Sequence, residues 1–214
     1  MGLRKDPFNV IITGVGGQGN VLASQLLGQM LVNRGFIMTI GETYGASQRG
    51  GSVMSHLRIS LQEPFSPLIP EGLCDLVVGL EPIEALRVLG QYGNPEVCLL
   101  VNTRPIFPLD VISGEAEYPD LAIIFETICK LSRHAWVVDA TDIALELGNP
   151  VIANIVMLGA LSALDVLPVG EDDFRKTAEE FFSAEQVELN LEALRRGRAG
   201  VRSRFDVSPV RARQ

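Results

Sequence analysis

The chain of 214 residues holds three cysteines, two histidines and one tryptophan. Cys74, Cys98 and Cys129 stand far apart in apolar segments, with no CxxC spacing. That pattern excludes an iron–sulfur cluster or structural zinc caged by this chain alone, and it reads the thiols as buried and reduced. No metal site is expected. An uninterrupted apolar run of about 18 residues is lacking, which excludes a membrane-spanning helix. Positive charge is also short, with 18 Lys and Arg against 26 Asp and Glu and a formal net charge of -8. An acidic balance of that size argues against broad nucleic-acid binding. The N-terminus passes from charged residues through Pro7 into an apolar run, without the hydrophobic region of a secretory signal. A cytoplasmic location is therefore expected.

What is present is an aliphatic core. Hydrophobic residues make up 47% of the chain and aromatics only 6%, which suits one large domain. Strand-length apolar runs at Phe8–Thr13, Phe36–Gly41, Ser52–Ser60, Asp75–Gly79, Val97–Asn102 and Ala135–Ala140 alternate with helix-period segments. The helices are expected near Gln18–Arg34, Pro82–Gln91, Pro119–Leu131, Thr141–Leu147, Pro150–Leu164, Glu171–Ser183 and Ala184–Arg195. Pro82, Pro119 and Pro150 stand where a missing N–H costs nothing, in a helix's first turn, and Asn149 is placed to cap the helix after it. Leu121, Ile124, Phe125, Ile128 and Leu131 recur at helical spacing and predict one buried stripe.

The runs VCLLV and CDLVVG are apolar at nearly every position, as in parallel strands covered on both faces. Ser52–Ser60 differs: Ser52, Met54, His56, Arg58 and Ser60 alternate with apolar residues, predicting a strand with one wet or functional face, at an edge or antiparallel. The whole pattern predicts a three-layer α/β/α sandwich, Rossmann-like, with a mostly parallel sheet and closing C-terminal helices. Residues 1–197 are read as one domain and 198–214 as a basic flexible tail. Arg133 and His134 are expected at a helix C-terminus, where they complement its dipole.

Directly after the first strand the chain reads GVGGQG, matching G-x-G-x-x-G at Gly14, Gly16 and Gly19, with an additional Gly17 and Gln18 between them. Glycines there admit a tight strand-to-helix turn and let backbone N–H groups face an anion. Glu42 follows the second strand near the place of a ribose-binding acid. The spacing alone fits a nicotinamide-dependent dehydrogenase, and it equally fits a turn that only packs a helix against a strand.

The next segment, ETYGASQRGGSVMSHLRIS, has no place in such a dehydrogenase. Gly50 and Gly51 allow close approach of a backbone or ligand, and Ser52 opens the polar-faced strand. Arg49 can clamp a phosphate or carboxylate, or reach an acid across an interface, while Gln48 offers hydrogen bonds. Glu42 reads better as an orienter of this loop than as a ribose ligand. His56, alone on a strand face, is expected to pack or hydrogen-bond rather than to move a proton. In NIVMLGALSAL, Gly159 and Ala160 are expected to permit close helix packing, with Asn154 the polar exception.

GVGGQGNVLASQLLG, ETYGASQRGGSVMSHLRIS, SPLIPEG (Ser66–Gly72), GLEPIEALR (Gly79–Arg87) and NIVMLGAL (Asn154–Leu161) occur in order. Together they resemble the gamma-type domain of 2-oxoacid:ferredoxin oxidoreductases, most of all its indolepyruvate branch, from about Phe8 to Gly197. The resemblance implies a small subunit with no catalytic residue of its own. A large partner subunit would hold thiamine diphosphate, magnesium and iron–sulfur clusters, and pass electrons to ferredoxin. This chain would assist assembly and the positioning of coenzyme A, a co-substrate, and hold no cofactor alone. The matching positions are Gly14, Gly16, Gly17, Gln18 and Gly19, then Gln48, Arg49, Gly50, Gly51 and Ser52, with Glu42 orienting them. The two loops are expected to lie together at the carboxyl ends of the first strands, where open α/β sheets place ligands.

Overall fold

The computed structural model describes residues 3–44, 51–107 and 109–203. Seven strands form one sheet: β1 (Phe8–Val15), β2 (Ile37–Tyr44), β3 (Ser52–Ser60), β4 (Leu76–Gly79), β5 (Cys98–Asn102), β6 (His134–Val138) and β7 (Arg202–Ser203). Their order is β2-β3-β1-β4-β5-β6-β7. β1, β4, β5 and β6 are parallel neighbours, while β3 lies antiparallel between β1 and β2, and β7 antiparallel to β6. The helices are α1 (Asn20–Val32), α2 (Pro82–Tyr92), α3 (Leu109–Ile112), α4 (Leu121–Leu131), α5 (Ala140–Glu146), α6 (Ala153–Ser162), α7 (Glu171–Phe181) and α8 (Ala184–Gly200).

Strand alternation divides the core into two layers. Val10, Ile12, Leu76, Val78 and Leu100 pack with residues of α1, α6, α7 and α8. Ile11, Val77, Leu99, Val101 and Val137 pack on the other face with Ala85 and Val88 of α2 and Ile124, Phe125 and Ile128 of α4. This is the expected three-layer sandwich. The α4 stripe is narrower than its spacing suggests, since Leu131 is exposed at the helix end. α6 is buried at every position from Asn154 to Ser162, and its backbone meets that of α8 at Gly159 and Gly197. Among the described residues no helix is long and apolar enough to cross a membrane.

Several boundaries move for local reasons. Pro119 stands before α4 rather than in its first turn, and Asp120 caps the helix by accepting from the Ala122 N–H. Asn149 caps as expected, accepting from Val151 N–H at 3.1 Å, but Pro150–Ile152 form a 3-10 turn before α6 begins. His134 opens β6 and stacks at a tilt on Trp136 rather than ending a helix. α8 continues to Gly200, and Arg202–Ser203 pair with β6; the rest of the tail lies outside the described residues.

The polar face of β3 is not wet. β3 is antiparallel, as one of the two expectations had it, but it is interior to the sheet, and His56, Arg58 and Ser60 are buried. The segment from Pro64 to Cys74 covers them. His56 Nδ1 accepts from the Ile69 N–H at 3.3 Å, and its ring meets Tyr92 edge-on at 5.3 Å. Arg58 donates to Asn9 Oδ1 at 3.1 Å and to the Ser66 carbonyl at 3.2 Å, with its guanidinium 4.8 Å from the Phe65 ring centre. Alternation therefore reports two covered faces of different chemistry here, one of them built from a polar row and a strap.

Burial holds the His56 imidazole below its ordinary value of 6.5. Below that pH the unfolded chain takes up a proton that the folded chain resists, so stability present above 6.5 is lost as pH falls. The denaturant midpoint of the wild-type chain is expected to drop between about pH 7 and 5, and less steeply in His56→Gln. Equal slopes in the two proteins would remove His56 from the acid response.

Candidate functional site

The strand-to-helix turn closes at the carboxyl end of β1. Gly17 and Gly19 have φ of +102° and +80°, a region that costs glycine little and other residues more. Gln18 folds back beneath them. Its Oε1 accepts from the Val15 N–H at 2.7 Å and its Nε2 donates to the Leu80 carbonyl at 2.9 Å, tying the ends of β1 and β4 together. Gly14 leaves room for that side chain, since a Cβ there would stand 2.5 Å from Gln18 Oε1. From the start of α6, Asn154 Nδ2 donates to the Gly19 carbonyl at 3.1 Å, so the polar exception in that buried helix holds the N-terminus of α1.

The second signature reaches the same place. The Gly16 N–H donates to the Gly51 carbonyl at 2.9 Å, and Ser52 pairs with Val15. Gln48, Arg49 and Gly50 lie outside the described residues. Glu42 sits at the end of β2, one strand removed from β1 because β3 intervenes. Its carboxylate accepts from Ser55 Oγ at 2.6 Å and from Ser24 Oγ at 3.0 Å. It links α1 to β3. A ribose-binding acid would stand on the strand adjoining β1, and here that strand is antiparallel.

Beside the glycine turn a crevice of about 380 Å³ opens over the carboxyl ends of β4 and β5. It is lined by Gly16, Gly17 and Gln18 of the turn, by Arg104, Pro105 and Ile106 after β5, and by Val151 and Met157 around the start of α6. Asn102 and Thr141 line its floor. Asn102 Nδ2 donates to the Leu80 carbonyl at 3.1 Å and to Thr141 Oγ1 at 2.9 Å. Leu80's carbonyl thus accepts from both Gln18 and Asn102, which fixes the floor. Arg104 pairs with Asp142 at 3.0 Å, with both side chains half exposed at the mouth. Sequence reasoning found the glycine side and missed the opposite wall. One signal was available, a polar Asn102 directly after the apolar run of β5.

The lining is mostly apolar, with a few polar groups among it. Such a crevice, at the carboxyl edge of parallel strands and beside a glycine turn, suits a ligand with an extended apolar part and an anionic or polar part. The fold and the crevice define a three-layer α/β domain with an open site at the carboxyl ends of its parallel strands.

The chain belongs to the family described as pyruvate ferredoxin/flavodoxin oxidoreductase, which matches residues 9–200. It is 36% identical over 190 residues to the indolepyruvate oxidoreductase subunit IorB of Archaeoglobus fulgidus, covering 89% of this chain and 93% of that protein. The crystal structure of the pyruvate oxidoreductase subunit PORC of Thermotoga maritima superposes with a TM-score of 0.65 at 25% identity, covering 94% of this chain and 99% of that one. A 2-oxoglutarate:ferredoxin oxidoreductase of Magnetococcus marinus, with 2-oxoglutarate, coenzyme A and succinyl-CoA bound, shares the fold with a TM-score of 0.72 at 20% identity. There the match covers 92% of this chain and 31% of that longer one.

Proposed function

We propose that this chain is the small subunit of an indolepyruvate-type 2-oxoacid:ferredoxin oxidoreductase. The complex oxidatively decarboxylates an aryl 2-oxoacid, joins the acyl group to coenzyme A and reduces ferredoxin. Support for the indolepyruvate branch comes from the IorB similarity along nine-tenths of the chain. Thiamine diphosphate, magnesium and iron–sulfur clusters belong to the large subunit in this reading. The small subunit has the assembly and coenzyme A roles.

The observation that carries the coenzyme A role is the crevice between the glycine turn and the Arg104–Ile106 wall. Its volume of about 380 Å³ suits part of the coenzyme, and the remainder would extend toward the partner subunit. Apolar Ile106, Val151 and Met157 suit the pantetheine arm, and the half-exposed Arg104 side chain suits its anionic groups. Gly51 and Ser52 adjoin the turn at Gly16 and Val15, and in this reading Gln48, Arg49 and Gly50 belong to the same binding set, with Arg49 supplying charge. Glu42 supports the start of the second signature in this reading, since it ties α1 to β3 through Ser24 and Ser55.

Arg49→Ala in the co-purified complex separates this reading from a ligand-free assembly module. A coenzyme A role predicts a KM for coenzyme A raised about ten-fold or more, as for a lost charge-assisted hydrogen bond. An assembly module predicts weaker association of the subunits, with the coenzyme A dependence of the assembled enzyme unchanged.

A further inference from the structure

The glycine side of the crevice is pinned by Gln18 and Asn154. The opposite wall follows β5 and is held from below by a buried acid. Glu81 is fully buried at the end of β4, next to Leu80 of the crevice, and caps α2 by accepting from the Glu84 N–H at 2.9 Å. Tyr118, which follows the wall segment and precedes α4, donates its hydroxyl to Glu81 Oε1 at 2.5 Å. Burial pushes the Glu81 carboxyl up, opposed by hydrogen bonds from Tyr118 and from the backbones of Glu84, Ile106 and Ile83. The Ile106 backbone is itself part of the crevice wall. Phe107 adds a T-shaped contact to Tyr118, with ring centres 5.2 Å apart. Glu81 therefore joins the start of α2 to the return of the chain at Tyr118, and Tyr118 in turn holds Phe107, the neighbour of wall residue Ile106.

We propose that Glu81 and Tyr118 are positioning residues for coenzyme A, fixing the Arg104–Ile106 wall against which the coenzyme lies. Neither side chain lines the crevice, so each acts through the wall. The carboxyl gathers partners at the start of α2 and at Tyr118, and Phe107, next to Ile106 in the wall, packs on the Tyr118 ring. Without the Tyr118 hydroxyl the carboxylate loses a partner and the wall segment loses its tether beyond Phe107. The inference rests on the coenzyme A reading of the crevice.

The test uses the co-purified complex with three variants of this chain. Tyr118→Phe removes one hydroxyl and retains the ring beside Phe107. Glu81→Gln retains an oxygen to cap α2 and removes the charge. Val151→Trp, at an exposed position on the crevice lining, fills the crevice directly. All three are expected to raise the KM for coenzyme A, Tyr118→Phe by about ten-fold as for one hydrogen bond to a charged group. The kcat and the KM for the 2-oxoacid should stay within two-fold in Tyr118→Phe, a division that general unfolding would not produce. If Val151→Trp raises the KM while Tyr118→Phe and Glu81→Gln leave it unchanged, the positioning role is wrong and the crevice reading stands. If Val151→Trp leaves the KM unchanged, the crevice reading fails and the positioning role with it.

Discussion

Gly197→Ala is expected to destabilise the folded chain by about 3 kcal/mol or more, although alanine is the better helix former. Gly197 lies in α8, and a Cβ there would stand 1.9 Å from the Val156 carbonyl oxygen of α6. Gly159 of α6 is matched in reverse, its would-be Cβ 2.0 Å from the Leu194 carbonyl oxygen of α8. These neighbours are backbone atoms, so rotamer changes give no relief. The helices would have to part, opening gaps around Val156, Leu191 and Leu194, all buried in the larger core layer. Helix propensity alone favours alanine by about 1 kcal/mol, so the two effects predict opposite signs. Gly90→Ala supplies the comparison, since Gly90 sits in α2 with nothing within 4 Å of its would-be Cβ. Denaturant unfolding should show Gly90→Ala neutral or stabilised and Gly197→Ala strongly destabilised. A stabilised Gly197→Ala would refute the close helix crossing.

That crossing shows what was legible in the sequence. Gly159 in an apolar run of helical period pointed to close packing, because a missing side chain among large ones has few other uses. The α8 partner, Gly197, was hidden in an arginine-rich stretch at the edge of the expected domain, beyond the helix expected to end at Arg195. β4 and β5 were legible because their buried runs are apolar at nearly every position, while β7 lies in the segment expected to be a flexible tail. β3 was misread because alternation reports chemistry on each face, while the strap that covers a polar face lies elsewhere in the chain. The glycine turn was legible from spacing, and Gly51 does lie against Gly16. Strand order could not be read, and β3 between β1 and β2 is what separates Glu42 from the place of a ribose-binding acid. The wall opposite the turn depends on Glu81 meeting Tyr118, a pairing between residues 37 apart. No periodicity records such a contact.

The largest functional effect is expected from removing the chain altogether. The described residues offer a crevice and its supports, and the reacting centre is assigned to the large subunit. This chain alone is therefore expected to show no oxidation of a 2-oxoacid. Joined to its large partner, it should complete the site for coenzyme A and restore turnover. Omission should lower coenzyme A-dependent turnover by about a hundred-fold or more, the scale on which loss of substrate positioning acts.

The most direct measurement is ferredoxin reduction by the large subunit with indolepyruvate and coenzyme A, assayed with and without this chain. The account predicts activity in the reconstituted complex and none from either this chain or its partner at comparable rate. Full turnover by the large subunit alone would contradict it.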